Sequence, residues 1–379
     1  MDHYDVIVLG AGGVGSATLY HLAKRGVRAI GIDRFDPPHD RGSTHGQSRV
    51  IRQAYYEHPN YVPLLRESYR EWFDVETLLG RKLFHQVGLL EVGPGDGAVV
   101  PNVLKAAAQY DIRVESLTPA QVEAHWPGLR VDPSFAGVFE PAAGYLLVED
   151  CVQAHLDLAR AAGAELLANT EVVGVKADAS SVVVTTSAGL EITASKLIVA
   201  AGAWSPDQFL NLGIDCVVRR KSLFWFACDD PQYKVENGFP VFLFELPTGI
   251  FYGFPKMDDV GLKFAEHSGG YSVTDPLTVD RSIDAMEQSR LVEVLARMMP
   301  GVSTRVTHHA VCMYTMSPDE HFIIDRHPTS PNVVFAAGLS GHGFKFVPVL
   351  GRALADMALD GGTDLPIGFL SLQRFATGR

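Results

Sequence analysis

His45, Arg49 and Arg52 stand four and three residues apart in the polar stretch Gly42-Ser43-Thr44-His45-Gly46-Gln47-Ser48-Arg49-Val50-Ile51-Arg52. A helical turn there would set all three on one face, as a small cationic edge. Such an edge either binds an anion or is simply a solvated basic face, and the spacing leaves both open. Lys263, Ala265 and His267 alternate along Gly261–His267, so an extended chain would put the lysine and the histidine on one side. That side is either open to water or the polar floor of a pocket. Tyr252 alternates with Ile250 and Phe254 in the same manner. Cys312 and Tyr314 share a strand face in His308–Thr315, where a cysteine read by itself is a small core residue. Lys345 ends a glycine-rich turn, Leu339-Ser340-Gly341-His342-Gly343-Phe344-Lys345, that opens a helix running to about 359.

Elements that could hold these groups begin at the first strand. Tyr4-Asp5-Val6-Ile7-Val8-Leu9 runs into Gly10, Gly12 and Gly15, a G-x-G-x-x-G turn followed by a helical pattern and a helix end at Gly26. Gly10 permits the tight turn, Gly12 lets the backbone approach a pyrophosphate, and Gly15 lets helix and strand pack closely. Backbone N–H groups at the helix start then face an anion. A second strand, Val27–Ile32, ends at Asp33, where an acid accepts hydrogen bonds from an adenosine ribose. The fingerprint signals a dinucleotide without separating FAD from NAD.

At 379 residues two domains are expected. A hydrophobic content of 47% with 20% charged residues fits a packed globule. The net charge of −12 argues against nucleic acid and anionic membrane as partners. No apolar run is long enough to span a bilayer, and residues 1–9 lack the basic flank of a signal peptide. Cys151, Cys216, Cys228 and Cys312 are scattered without C-x-x-C spacing, which excludes a cysteine metal site and fits a reducing cytoplasm. The ending Thr377-Gly378-Arg379 is not a peroxisomal address.

Tyr61–Leu79 reads as an amphipathic helix, and 97–109, 149–162 and 280–299 as further helices. Apolar strands at 196–204 and 332–338 each run into small residues, as close passage beside a dinucleotide requires. The predicted architecture is α/β: a discontinuous Rossmann-like dinucleotide-binding domain from 1–82, 146–215 and 311–379, interleaved with a mixed-sheet domain from 83–145 and 216–310.

Taken together, the N-terminal glycine turn, the 42–52 segment, Tyr-Gly-Phe-Pro at 252–255, Cys-Met-Tyr-Thr at 312–315 and Gly-Leu-Ser-Gly-His-Gly-Phe-Lys at 338–345 resemble the monomeric sarcosine oxidase family of flavin amine oxidases. That family includes N-methyltryptophan oxidase and sarcosine/pipecolate oxidases, and the resemblance runs essentially end to end. It implies that the dinucleotide domain is a glutathione-reductase-like FAD-binding domain and the interleaved one a substrate domain, that Cys312 bonds to the flavin 8α-methyl group and that Arg52 and Lys345 hold a substrate carboxylate. Lys263 is then the lysine that activates dioxygen. Tyr252, His267 and Tyr314 are pocket residues, and His45 and Arg49 lie beside the isoalloxazine. Gly10, Gly12, Gly15, Asp33, Arg34, Ser43, Gly202, Gly341 and Gly343 complete the cofactor set, with no metal. The implied reaction is oxidation of a secondary amino acid by O2, in a monomer. Alternatives are N-methyltryptophan, L-pipecolate, L-proline or glycine as substrate, a nicotinamide-dependent dehydrogenase, or a flavin-binding protein without turnover. The chain departs from several close members at Gln53, where they carry histidine or lysine, and at Tyr55-Tyr56-Glu57-His58-Pro59, where they carry a glycine-containing loop.

Overall fold

Val6, Ile7, Val8 and Leu9 are all buried, because the strand His3–Leu9 runs between parallel neighbours on both edges. A strand covered on both faces reads as a continuous apolar run rather than an alternating one. In the computed structural model, which describes residues 3–178, 180–205 and 210–378, this strand is central to a sheet of eight. Its parallel part runs Val333–Ala337, Glu191–Val199, His3–Leu9, Ala29–Ile32 and Glu165–Leu167. The long strand Glu191–Val199 serves two neighbours along one edge: its first half pairs antiparallel with Val182–Thr186 and its second half parallel with Val333–Ala337. Arg379 lies outside the described residues.

Helices Gly13–Ala23, Val148–Ala161 and Val347–Leu359 pack together over this sheet. A Cβ on Gly351 would stand 2.7 Å from Ala17 Cβ, so glycine there sets how closely the first and last helices approach.

A second sheet of eight strands is mixed. Its order is Val306–Met316, Val217–Phe226, Leu262–Glu266, Gly249–Gly253, Val241–Leu246, Leu89–Pro94, Phe135–Glu140 and Glu115–Leu117. Phe224, Phe226, Phe242, Phe244, Phe251 and Phe264 fill one of its faces with fully buried rings. The strand Val306–Met316, which crosses the expected boundary at 311, pairs with Val217–Phe226 from Met316 to Val306. A small third sheet joins Ser48–Ile51, Gly144–Leu147 and Phe84–His85.

Two local expectations change. Residues 45–52 are not helical: Ser48–Ile51 is a strand whose register is set by Gly144–Leu147, nearly a hundred residues away. Its β-branched Val50 and Ile51 suit that pairing. The helix after the second glycine turn begins at Val347, because Phe344–Phe346 form a 3-10 turn first. The expected helix near 280–299 is Ala285–Met298, started by Asp284, whose Oδ1 accepts from Met286 N at 2.8 Å and Glu287 N at 2.9 Å.

Candidate active site

One cavity runs from the N-terminal glycine turn to the face of the second sheet, with about 1760 Å3 of empty space counting its open mouth. At one end the backbone turns at Gly10 with φ +89, and a Cβ there would lie 2.6 Å from Ala200 O. A Cβ on Gly15 would meet Gly10 O at 1.8 Å, whereas one on Gly12 would meet nothing nearer than Thr44 Oγ1 at 3.7 Å. Glycine is thus a packing requirement at 10 and 15, while Gly12 leaves open space before the helix. That helix, Gly13–Ala23, has no cap from Gly12 and no acid in its first turn, and Gly13 N makes only a long 3.4 Å bond to Thr44 Oγ1. Uncapped N–H groups facing a cavity form an anion site.

Asp33 lies on the wall, with Oδ2 accepting from Ala11 N at 2.7 Å and Oδ1 from Phe35 N at 2.9 Å. Oδ1 also lies 3.3 Å from His39 Nε2, so Oδ2 is the oxygen that retains a lone pair for a ribose hydroxyl. Arg34 is also on the wall and pairs with Glu171. Phe35, His39 and Trp204 stack nearby, and Trp204 Nε1 is buried without a hydrogen-bond partner. The adenosine half of FAD fits this end: an acid for ribose, an uncapped helix for phosphate, and an aromatic cluster with a spare donor.

Toward the middle, Ser43, Gly202, Gly341 and Gly343 line the cavity. Gly341 has φ +78, and a Cβ on it would stand 2.3 Å from the Tyr314 ring, so the second glycine turn lies directly against that tyrosine. Ser43 Oγ donates to Met313 O at 2.5 Å. Arg49 donates to Ser48 O and Ser43 O, both at 2.9 Å, and to Cys312 Sγ at 3.2 Å. Cys312 is buried behind the wall, between Arg49 and Ser43 O at 3.4 Å.

His45 and Lys263 are also behind the wall rather than on it. Lys263 Nζ donates to Gly46 O at 2.5 Å, Ser48 O at 2.8 Å and Ser48 Oγ at 3.3 Å, above the rings of Phe254 and Trp225. Burial, reinforced by Arg49, pushes its pKa well below the ordinary lysine value. Burial and then Arg49 bring His45 down to about 4. Both groups therefore sit in an electropositive, dehydrated layer.

The far end holds the carboxylate-type chemistry. Tyr252, His267 and Tyr314 form one wall, with His267 Nδ1 3.4 Å from Tyr314 OH. Burial takes His267 down to about 3, so its ring is neutral at physiological pH. Arg52 and Lys345 form the opposite side, and both are buried. Lys345 Nζ donates to His342 O at 2.8 Å and Tyr55 OH at 3.3 Å. Burial and the neighbouring Arg52 lower its pKa to about 7. Arg52 lies between the Tyr55 and Tyr56 rings, 4.7 and 4.6 Å from their centroids.

The guanidinium already has a carboxylate: Arg52 Nη2 donates to both oxygens of Glu57, at 2.8 and 2.7 Å. Burial alone would raise Glu57, yet Arg52, His342 and Lys345 hold it down at about 2. Sequence reasoning missed Glu57, although an acid five residues beyond the arginine in the departing loop was the available signal. It also missed Glu91, a lone acid in the apolar run Leu89-Leu90-Glu91-Val92, which is buried near Arg52. Among the described residues no group of three or more histidine, cysteine, aspartate or glutamate side chains could hold a metal. No described helix is long and apolar enough to cross a membrane.

Residues 5–357 match the family of FAD dependent oxidoreductases. The chain is 41% identical over 377 residues to the monomeric sarcosine oxidase of Bacillus sp. (strain B-0618), spanning 98% of this chain and 96% of that one. It is 37% identical over 378 residues to the N-methyl-L-tryptophan oxidase of Escherichia coli O157:H7, spanning 98% and 99%. Among solved structures, NikD, an unusual amino acid oxidase essential for nikkomycin biosynthesis, superposes with TM-score 0.86 at 25% identity over 98% of both chains. The protein belongs to the FAD dependent oxidoreductases, in the family of the monomeric sarcosine and N-methyltryptophan oxidases. The family turns the dinucleotide reading toward FAD and away from a nicotinamide-dependent dehydrogenase.

Proposed function

We propose that the protein oxidises the C–N bond of a secondary amino acid, N-methyl or cyclic, to an imine, with dioxygen reduced to hydrogen peroxide. Water hydrolyses the imine, and an N-methyl substrate yields formaldehyde and the free amino acid. The observation that carries this reading is a buried arginine and lysine, Arg52 and Lys345, at the end of a cavity whose other end is a dinucleotide turn. Bound FAD supplies the electron acceptor for the substrate and the electron donor for dioxygen.

Arg52 and Lys345 take the substrate carboxylate, the guanidinium through paired N–H groups and the ammonium as a point charge. Tyr252, His267 and Tyr314 form a wall that orients the amine and excludes water. A neutral His267 suits that wall, because an imidazolium there would repel a protonated amine. Arg49 and His45 would lie beside the flavin ring, and Cys312, whose Sγ Arg49 holds, is the thiol that would carry a covalent link to it. Lys263 provides positive charge where oxygen is reduced, which stabilises negative charge as it develops. Gly10, Gly12, Gly15, Asp33 and Arg34 hold the adenosine diphosphate half, while Ser43, Gly202, Gly341 and Gly343 line the passage to the flavin. In this reading 1–82, 146–215 and 311–379 carry the cofactor, and 83–145 with 216–310 cover the substrate. The enzyme works as a cytoplasmic monomer.

Peroxide release on mixing with sarcosine, N-methyltryptophan, L-proline or L-pipecolate tests the reaction, and silence with all four overturns it. Acid-precipitated protein that stays yellow supports the Cys312 link, and precipitate from Cys312→Ser should be colourless.

A further inference from the structure

Glu91 is a buried acid set among apolar neighbours. It projects from the strand Leu89–Pro94 and is 1% exposed, and neither carboxyl oxygen has a hydrogen-bond partner. The residues beside it on the two flanking strands, Val138 and Leu243, are apolar. Its near polar neighbour is Arg52, whose Nε stands 3.7 Å from Glu91 Oε1. That separation is beyond a hydrogen bond, and Nε is itself buried without a partner. Two unpaired groups of opposite character thus face each other across a gap that a shift of under 1 Å would close.

The Tyr55 and Tyr56 rings confine the guanidinium to a slot. Within it, Arg52 Nη2 bonds to Glu57 on the cavity wall, and Nε faces Glu91 behind the wall. We propose that Glu91 is a positioning residue of the carboxylate site: its proton decides how much of the positive charge of Arg52 faces the cavity. This rests on the reading of Arg52 as the substrate-carboxylate ligand.

With Glu91 protonated, Glu57 is the one ionised partner of Arg52, and the guanidinium is not neutralised from behind. With Glu91 ionised, Nε is drawn inward and the charge is neutralised from behind, so an incoming carboxylate is bound less tightly. The charged and titratable groups around Glu91 are Arg52, Tyr56 and Glu57 from the 52–57 segment, Glu140 from the neighbouring strand, and Lys345 from the 3-10 turn. Burial raises Glu91 to about 8, Arg52 opposes that rise, and Glu140 and Glu57 add to it. The switch therefore operates just above neutral pH, and affinity falls as the pH rises through it.

The test is titration of the FAD-containing enzyme with acetate, followed by the visible flavin spectrum, from about pH 6.5 to about 9.5. Lys345 also loses charge on this limb, so the readout is the ratio of the wild-type dissociation constant to that of Glu91→Gln. The ratio should lie near one at the acid end and rise toward about thirtyfold at the alkaline end, the change that one and a half pH units beyond a single ionisation near 8 produces. Glu91→Leu, apolar like its strand neighbours, is a second neutral variant and should give the same rise. Glu91→Asp retains an acid and should restore the wild-type limb. A ratio independent of pH for both neutral variants, or an aspartate variant that behaves like glutamine, overturns the proposal. Acetate affinity that is unaffected by Arg52→Gln would instead remove the carboxylate site itself, a different result from a flat ratio with Arg52-dependent binding intact.

Discussion

If Arg52 is the substrate-carboxylate ligand, Glu57 competes with that carboxylate for the guanidinium, and Glu57→Gln should tighten carboxylate binding. Glu57 is held at about 2 against its ordinary 4.5, although burial pushes the other way. The difference corresponds to roughly 3 kcal/mol of preference for the ionised form, and with only 14% of the side chain exposed little of it is lost to solvent screening. That figure is the ceiling on the competition, because glutamine keeps one acceptor oxygen for Arg52 and an incoming acetate must still be dehydrated. A gain of about tenfold to thirtyfold in acetate affinity at pH 7 is expected, or about 1.4 to 2 kcal/mol.

The same variant should be less stable, since it leaves Arg52 without its counter-ion. The sign follows from the depressed pKa: the contribution of Glu57 is complete above the unfolded-state value near 4.5 and is lost as the pH falls toward about 2. The melting-temperature gap between wild type and Glu57→Gln should therefore be open at pH 7 and should narrow through that acid window. Flavin absorbance titration with acetate gives the affinity, and thermal unfolding at several pH values gives the stability. A folded, yellow Glu57→Gln enzyme that binds acetate no better than wild type would show that Glu57 does not compete for the site.

Lys345→Met should weaken acetate binding at pH 6 by at least about tenfold, while its melting temperature stays level or rises, because a buried ammonium already lowered to about 7 contributes little to folding. A fall of several degrees with unchanged acetate affinity would make Lys345 structural. Gly15→Ala places a methyl group 1.8 Å from Gly10 O and should abolish stoichiometric flavin, read from the ratio of visible to ultraviolet absorbance. Gly12→Ala, with its nearest contact at 3.7 Å, should fold with near wild-type stability and lose flavin affinity only if phosphate passes close to that Cα.

Much of the cofactor end was legible because local geometry carries it. An apolar strand, glycines at 10, 12 and 15, and an acid at 33 act within one strand–helix–strand unit. The 42–52 segment was legible as chemistry but not as structure. Its histidine and arginines suit a helix face, yet Gly144–Leu147 makes part of it a strand, and long-range pairing leaves no local trace. Lys263 and His267 do sit on one side of a strand, but the same alternation buries the lysine behind the cavity wall and brings the histidine onto it. Glu57 and Glu91 escaped notice for a different reason. Their significance lies in one shared partner, Arg52, and partners are set by packing rather than by spacing.

The strand Val306–Met316 bears on how a substrate gets in. It belongs to the second sheet, yet Thr315 O accepts from Ser340 N at 2.9 Å, and Ser317 N donates to Ser340 Oγ at 3.1 Å. Ser340 stands three residues beyond the last strand of the first sheet, Val333–Ala337, so the two sheets are stitched together beside the cavity. Prising them apart would tear those bonds and pull the Cys312 strand off its support. A substrate therefore reaches the cavity through its open mouth while the two sheets stay joined.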